Sequence, residues 1–108
     1  MEQNDFLELH VFTGLKNVNE DFGKNPVHYF SENDFAEILK RVEQFGIGIY
    51  TIDARLSADV VETANHESFK KKATDAKWYK KAFSTFMHTQ ADMTYSATYK
   101  VSPKLLAR

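Results

Sequence analysis

The chain has 108 residues, no cysteine, 43% hydrophobic and 14% aromatic residues, and a formal net charge of −1. That length predicts a single globular domain spanning residues 1–108, and the aromatic content argues against disorder. A disulfide framework, a thiolate metal site and a cysteine nucleophile are excluded.

Phe6 to Phe12 alternates, with Leu7, Leu9 and Val11 on one side and Glu8 and His10 on the other, which predicts a half-buried strand. Residues 13–26 concentrate Gly, Asn and Pro and read as a long loop, with one helical turn expected near Val18–Phe22. Ser31 followed by Asp34 resembles a capping box, and Phe30 and Phe35 have the spacing of a hydrophobic staple. Phe35, Ile38, Leu39, Val42 and Phe45 repeat at helical spacing, and Gly46 supplies a left-handed stop, so a helix is expected over about 32–45. Ile47 to Ile52 is β-branched and aromatic with apolar residues on both faces, as in a central strand.

Residues 57–67 fit either a short helix capped by Ser57 or a surface excursion. Ser68 to about Gln90 predicts a long helix, with Phe69, Ala73, Ala76, Tyr79, Phe83, Phe86 and Met87 in one arc and Trp78 nearly opposite. Asp92 to Val101 alternates as a strand, and Pro103 closes it. The resulting order, β–loop–α–β–α–β, predicts an α+β or small α/β sandwich with two main helices on a sheet of three or more strands. The long helix-bearing connections suit crossovers better than hairpins. Residues 13–30 or 55–66 are available as an edge strand, or a second chain completes the sheet.

The small net charge hides a strong asymmetry. Residues 1–67 hold 5 Lys/Arg and 13 Asp/Glu, whereas residues 68–108 hold 9 and 2. Lys70, Lys71, Lys72, Lys77, Lys80 and Lys81 crowd the second helix, with Trp78 on its expected outer side. An exposed tryptophan among lysines fits a protein interface, and Lys70, Lys71, Lys77, Trp78 and Lys81 are the candidate contact residues. The primary expectation is a non-enzymatic interaction domain that self-associates or binds a protein partner through a sheet edge and this helix. Stacking on a nucleic-acid base is the alternative, weakened by the absence of arginine from the helix and by a pI near 6.4. The plain structural reading is a solvated lysine face, with Trp78 folded against residues 57–67.

Motifs for other chemistry are sparse. The four histidines, His10, His28, His66 and His88, lack metal-ligand spacing, so no metal is expected. Asn17, Asn19 and Asp21 begin a calcium-loop pattern that fails at Phe22 and His28. Gly46 and Gly48 precede a strand rather than a helix, unlike a phosphate cradle, and no cofactor is expected. A third functional alternative is a small-molecule or enzymatic pocket formed by His28, Tyr50, Asp53 and Arg55 at the end of the central strand. The acidic start and the lack of a long apolar run predict no signal peptide and no membrane span, hence a cytoplasmic protein.

Overall fold

A computed structural model describes residues 2–19, 27–56 and 59–107. Its first element corrects the strand expected over 6–12. Helix α1 (Gln3–Phe6) runs directly into a π-helical turn at Leu7–Val11, in which the Phe12 N–H donates to the Leu7 carbonyl at 2.8 Å. Helical winding buries Phe6, Leu7 and Val11 together, whereas a strand would have grouped Leu9 with Leu7 and Val11; Leu9 is 56% exposed. Arg41 fastens this segment by donating from Nη1 to the carbonyls of Val11 at 2.8 Å and Thr13 at 2.7 Å.

Helix α2 (Glu32–Phe45) has the ends anticipated from its residues. Ser31 accepts the Asp34 N–H at its start. At its end Gly46 takes φ +68°, while the Gly46 and Ile47 N–H groups donate to the Glu43 and Val42 carbonyls, the paired bonds of a Schellman stop. Phe35, Ile38, Leu39 and Val42 form its buried stripe.

Strand β1 (Gly48–Leu56) is central in a sheet of order β2-β1-β3, with β2 (Asp59–Asn65) and β3 (Thr94–Lys100) both antiparallel to it. The expected crossover connections are therefore absent from this sheet. β1 and β2 form a hairpin, and the 55–66 region supplies the edge strand that was one of the alternatives. The short helix considered over 57–67 is not formed, since Asp59–Asn65 is extended in β2; its cap candidate Ser57 and most of the turn considered at 18–22 fall outside the described residues. The fold is α+β.

Helix α3 (Ala76–Thr89) is shorter than the span expected from Ser68. Asp75 caps it by accepting the Lys77 N–H at 2.9 Å, and the preceding chain turns through Lys70 at φ +55°. Pro103, expected only as a stop, also opens a short helix α4 (Pro103–Leu106), where its missing N–H costs no helical bond.

Helices α2 and α3 cover one face of the sheet around Tyr95. Its ring lies 4.9 Å from Phe83, 5.5 Å from Phe35 and 6.3 Å from Phe86, centroid to centroid. Ile49, Ile52, Ala54, Trp78 and Tyr79 belong to the same core. Burial of each large apolar side chain contributes roughly 1.5–3 kcal/mol, which makes this layer the main source of stability. The other face is polar, with Thr51 and Thr98 hydroxyls 2.8 Å apart and the Asp53 carboxylate accepting from the Thr63 hydroxyl at 2.8 Å.

Burial also pushes tyrosine ionisation upward. Desolvation, then the nearby Glu43 and Asp75 charges, raises Tyr79 to about 12; desolvation, then Glu32, raises Tyr95 to about 12. Tyr99 is raised further by desolvation alone. An unfolded tyrosine ionises near 10, so the native state holds these protons more tightly. Stability is expected to be intact below about pH 10 and to fall as pH rises toward about 12. Denaturant midpoints should fall across that range as tyrosinate absorbance rises; a flat midpoint would refute the assignment.

Candidate interaction surface

β2 has neighbours on one side only. Its residues Asp59 to Thr63 are exposed, and Val60 and Val61 are 51% and 50% exposed. Leu56 and Tyr50 of β1 are exposed large apolar side chains beside it. The His66 N–H donates to the Tyr50 carbonyl at 3.1 Å, and alternation along an antiparallel strand then turns the N–H and C=O of Thr63 and Asn65 away from β1. They form an open hydrogen-bonding edge.

The other sheet edge is partly closed by the chain itself. Phe30 and Tyr95 exchange two backbone hydrogen bonds of 2.8 Å. Farther along, the Gln3 carboxamide donates to the Tyr99 carbonyl at 3.0 Å and accepts from the Val101 N–H at 3.4 Å. Open edges recruit other strands unless they are covered, bulged or charged. β2 has a bulge opposite Ala54/Arg55 and acids at Asp59 and Glu62, but among the described residues no segment covers it.

The charges have a definite placement relative to that edge. Asp59 and Glu62 mark its first half, and the chain just beyond Asn65 folds into a turn that carries Glu67 and the exposed Lys70, Lys71 and Lys72. The turn is pinned by the His66 ring, whose Nδ1 lies 2.8 Å from the Lys71 carbonyl, and by the Lys71 N–H donating to the His66 carbonyl. Lys77 and Lys81 are exposed on α3. Lys80 meets Glu43 of α2 at 2.6 Å, so part of the charge asymmetry is answered within the chain. Both partners are about half exposed, and such a pair contributes only tenths of a kcal/mol.

Trp78 does not share this surface. It is 1% exposed, lies 5.7 Å from the Phe69 ring and 6.3 Å from the His66 ring, and donates from Nε1 to the Ala73 carbonyl at 3.4 Å. The expected outward placement followed from extending the helix back to Ser68. Phe69 and Ala73 precede α3, so they cannot set its apolar arc; Trp78, Tyr79, Ala82, Phe83 and Phe86 do. The turn over 66–75 folds back as a cover for the indole.

The four residues considered for a pocket separate. His28 and Asp53 border one hollow of about 310 Å3 beside β3, with Ser96 and Thr98. Tyr50 lies instead toward β2, 6.1 Å from the His66 ring. Arg55 stacks its guanidinium 3.8 Å over the Tyr29 ring and donates to Asn19 Oδ1 at 3.2 Å, away from that hollow's lining. Asn17 accepts the Asn19 and Tyr29 N–H groups, each at 3.0 Å, so the first positions of the calcium-like pattern brace the loop. The β2 edge was the feature least visible in the sequence, although the run Val60-Val61-Glu62-Thr63 has strand propensity. Among the described residues no helix is long and apolar enough to cross a membrane.

Comparisons with protein-family models, curated proteins and solved structures gave no match.

Proposed function

We propose that this protein is an interaction domain that self-associates by antiparallel pairing of β2 with β2 of a second copy. The open Thr63 and Asn65 rungs beside exposed Val60 and Val61 carry this reading. Charge selects the occupant. Two antiparallel β2 strands related by a two-fold axis place the start of each strand, with Asp59 and Glu62, toward the lysine turn after the other. The turn sets Lys70, Lys71 and Lys72 against the acids Glu67 and Asp75, so it keeps a net positive charge to attract Asp59 and Glu62. Burial of Trp78 removes the stacking platform that nucleic-acid binding required, leaving lysines alone.

Sedimentation equilibrium is expected to show a dimer that weakens as salt screens the acid–lysine contacts. Thr63→Pro deletes one outward N–H and should give a monomer with an unchanged far-UV spectrum, because an edge tolerates proline. Thr63→Ala keeps the N–H and should remain dimeric. A wild-type protein that stays monomeric at concentrations on the order of 100 μM, where even weak specific pairs associate, would overturn the proposal.

A further inference from the structure

We infer that the β3 edge at Ala97 is a binding site for one residue of an extended peptide. Tyr95 directs both its N–H and its C=O outward, to Phe30. Tyr99 directs its carbonyl outward, to Gln3. β3 has no bulge between them, since both irregularities of the sheet are on other strands' steps, at Ile49/Thr51 and Ala54/Arg55. Strict alternation therefore turns the Ala97 N–H and C=O outward as well, between the Tyr95 rung that Phe30 engages and the Tyr99 carbonyl that Gln3 engages. Among the described residues nothing closes that rung.

The flanking rungs identify what fits. On one side a single residue, Phe30, exchanges both hydrogen bonds with Tyr95. On the other, the Gln3 carboxamide presents a planar N–H/C=O pair to the same edge. Phe30 meets Tyr95 with the N–H and C=O of one residue, which belong to two successive peptide groups, and the Ala97 N–H and C=O present the same pair of groups to an incoming residue. The space beside it is the hollow of about 310 Å3, large enough for a residue with its flanking peptide groups. Leu7, Phe12 and the exposed Val27 line it together with His28, whose ring stacks 4.9 Å from Phe12. These walls favour an aliphatic or aromatic side chain at the bound residue. β-strand addition of this kind draws affinity from main-chain bonds and specificity from a side-chain pocket. The site is on the edge opposite β2, so it stands or falls separately from self-association.

The probe is the blocked tripeptide N-acetyl-Gly-Val-Gly-amide, titrated into the 15N-labelled full chain. The Ala97 amide proton is expected to move downfield and its exchange with solvent to slow by about tenfold at saturation, the protection one added hydrogen bond supplies. The same peptide carrying N-methyl-valine lacks the donor for the Ala97 carbonyl and should leave that amide unmoved. Ala97→Pro removes the receptor N–H and should abolish the response of the neighbouring Thr98 amide. Equal responses to both peptides, or no displacement at Ala97, would sink the inference, as would an Ala97 amide already protected in the free protein.

Discussion

Trp78→Ala is expected to destabilise the protein by about 3–5 kcal/mol, the range for truncating a large buried aromatic. A domain of this size commonly has a total stability of about 5–15 kcal/mol, so the variant sits near the edge of unfolding. The indole is enclosed by Phe69, His66 and Tyr79, and its N–H closes the Ala73 carbonyl. Removing it empties the space under the 66–75 turn and frees a carbonyl. Trp78→Phe retains most of the contact and should cost less than half as much. Urea midpoints followed by far-UV circular dichroism give the comparison without needing the lost fluorophore. A midpoint for Trp78→Ala close to wild type, or a wild-type emission maximum typical of solvated indole, would contradict the enclosed position. Loss of association in Trp78→Ala would then report a damaged fold, which is why the interface test uses Thr63.

The second large effect runs the other way. Tyr95→Phe is expected to raise stability by about 1–2 kcal/mol, because the buried Tyr95 hydroxyl has no hydrogen-bond partner among the described residues. The ring itself must stay, since Phe35, Phe83 and Phe86 converge on it; Tyr95→Ala should lose about 3–5 kcal/mol. Tyr99→Phe should gain similarly, its hydroxyl being buried and unpartnered in the same way. Both phenylalanine variants should also retain more stability between pH 10 and 12 than wild type, because each removes a proton that the folded state holds too tightly. A Tyr95→Phe protein less stable than wild type would show that the hydroxyl is satisfied.

How far the fold could be read from residues differs by element, and the differences have physical causes. Helix α2 was legible end to end because Ser31 and Gly46 act locally, through bonds to residues three and four positions away. β1 and β3 were legible through β-branched and alternating runs. The segment Phe6–Phe12 was not, since its apolar positions satisfy a strand period and a helical period equally, and docking of Phe6, Leu7 and Val11 on the core decided between them. The start of α3 was misplaced because Phe69 and Ala73 have helical spacing yet belong to a turn set by His66 and Lys70. That single displacement reversed the side on which Trp78 falls. The β2 edge and the Ala97 rung depend on which strand borders which, a relation between distant residues that periodicity does not encode.

The clasp of Gln3 on Tyr99 and Val101 bears on how the molecule is assembled in time. Its partners are 96 and 98 positions apart, so it forms only after a loop of nearly the whole domain has closed. On a translating ribosome the β1–β2 hairpin is available early, but β1 keeps one bare flank until residues 94–100 emerge. Until then the first helix has no edge to grip. Nascent chains halted before β3 should therefore be the sticky, protease-sensitive form of this protein, with the Gln3 latch the last part to engage.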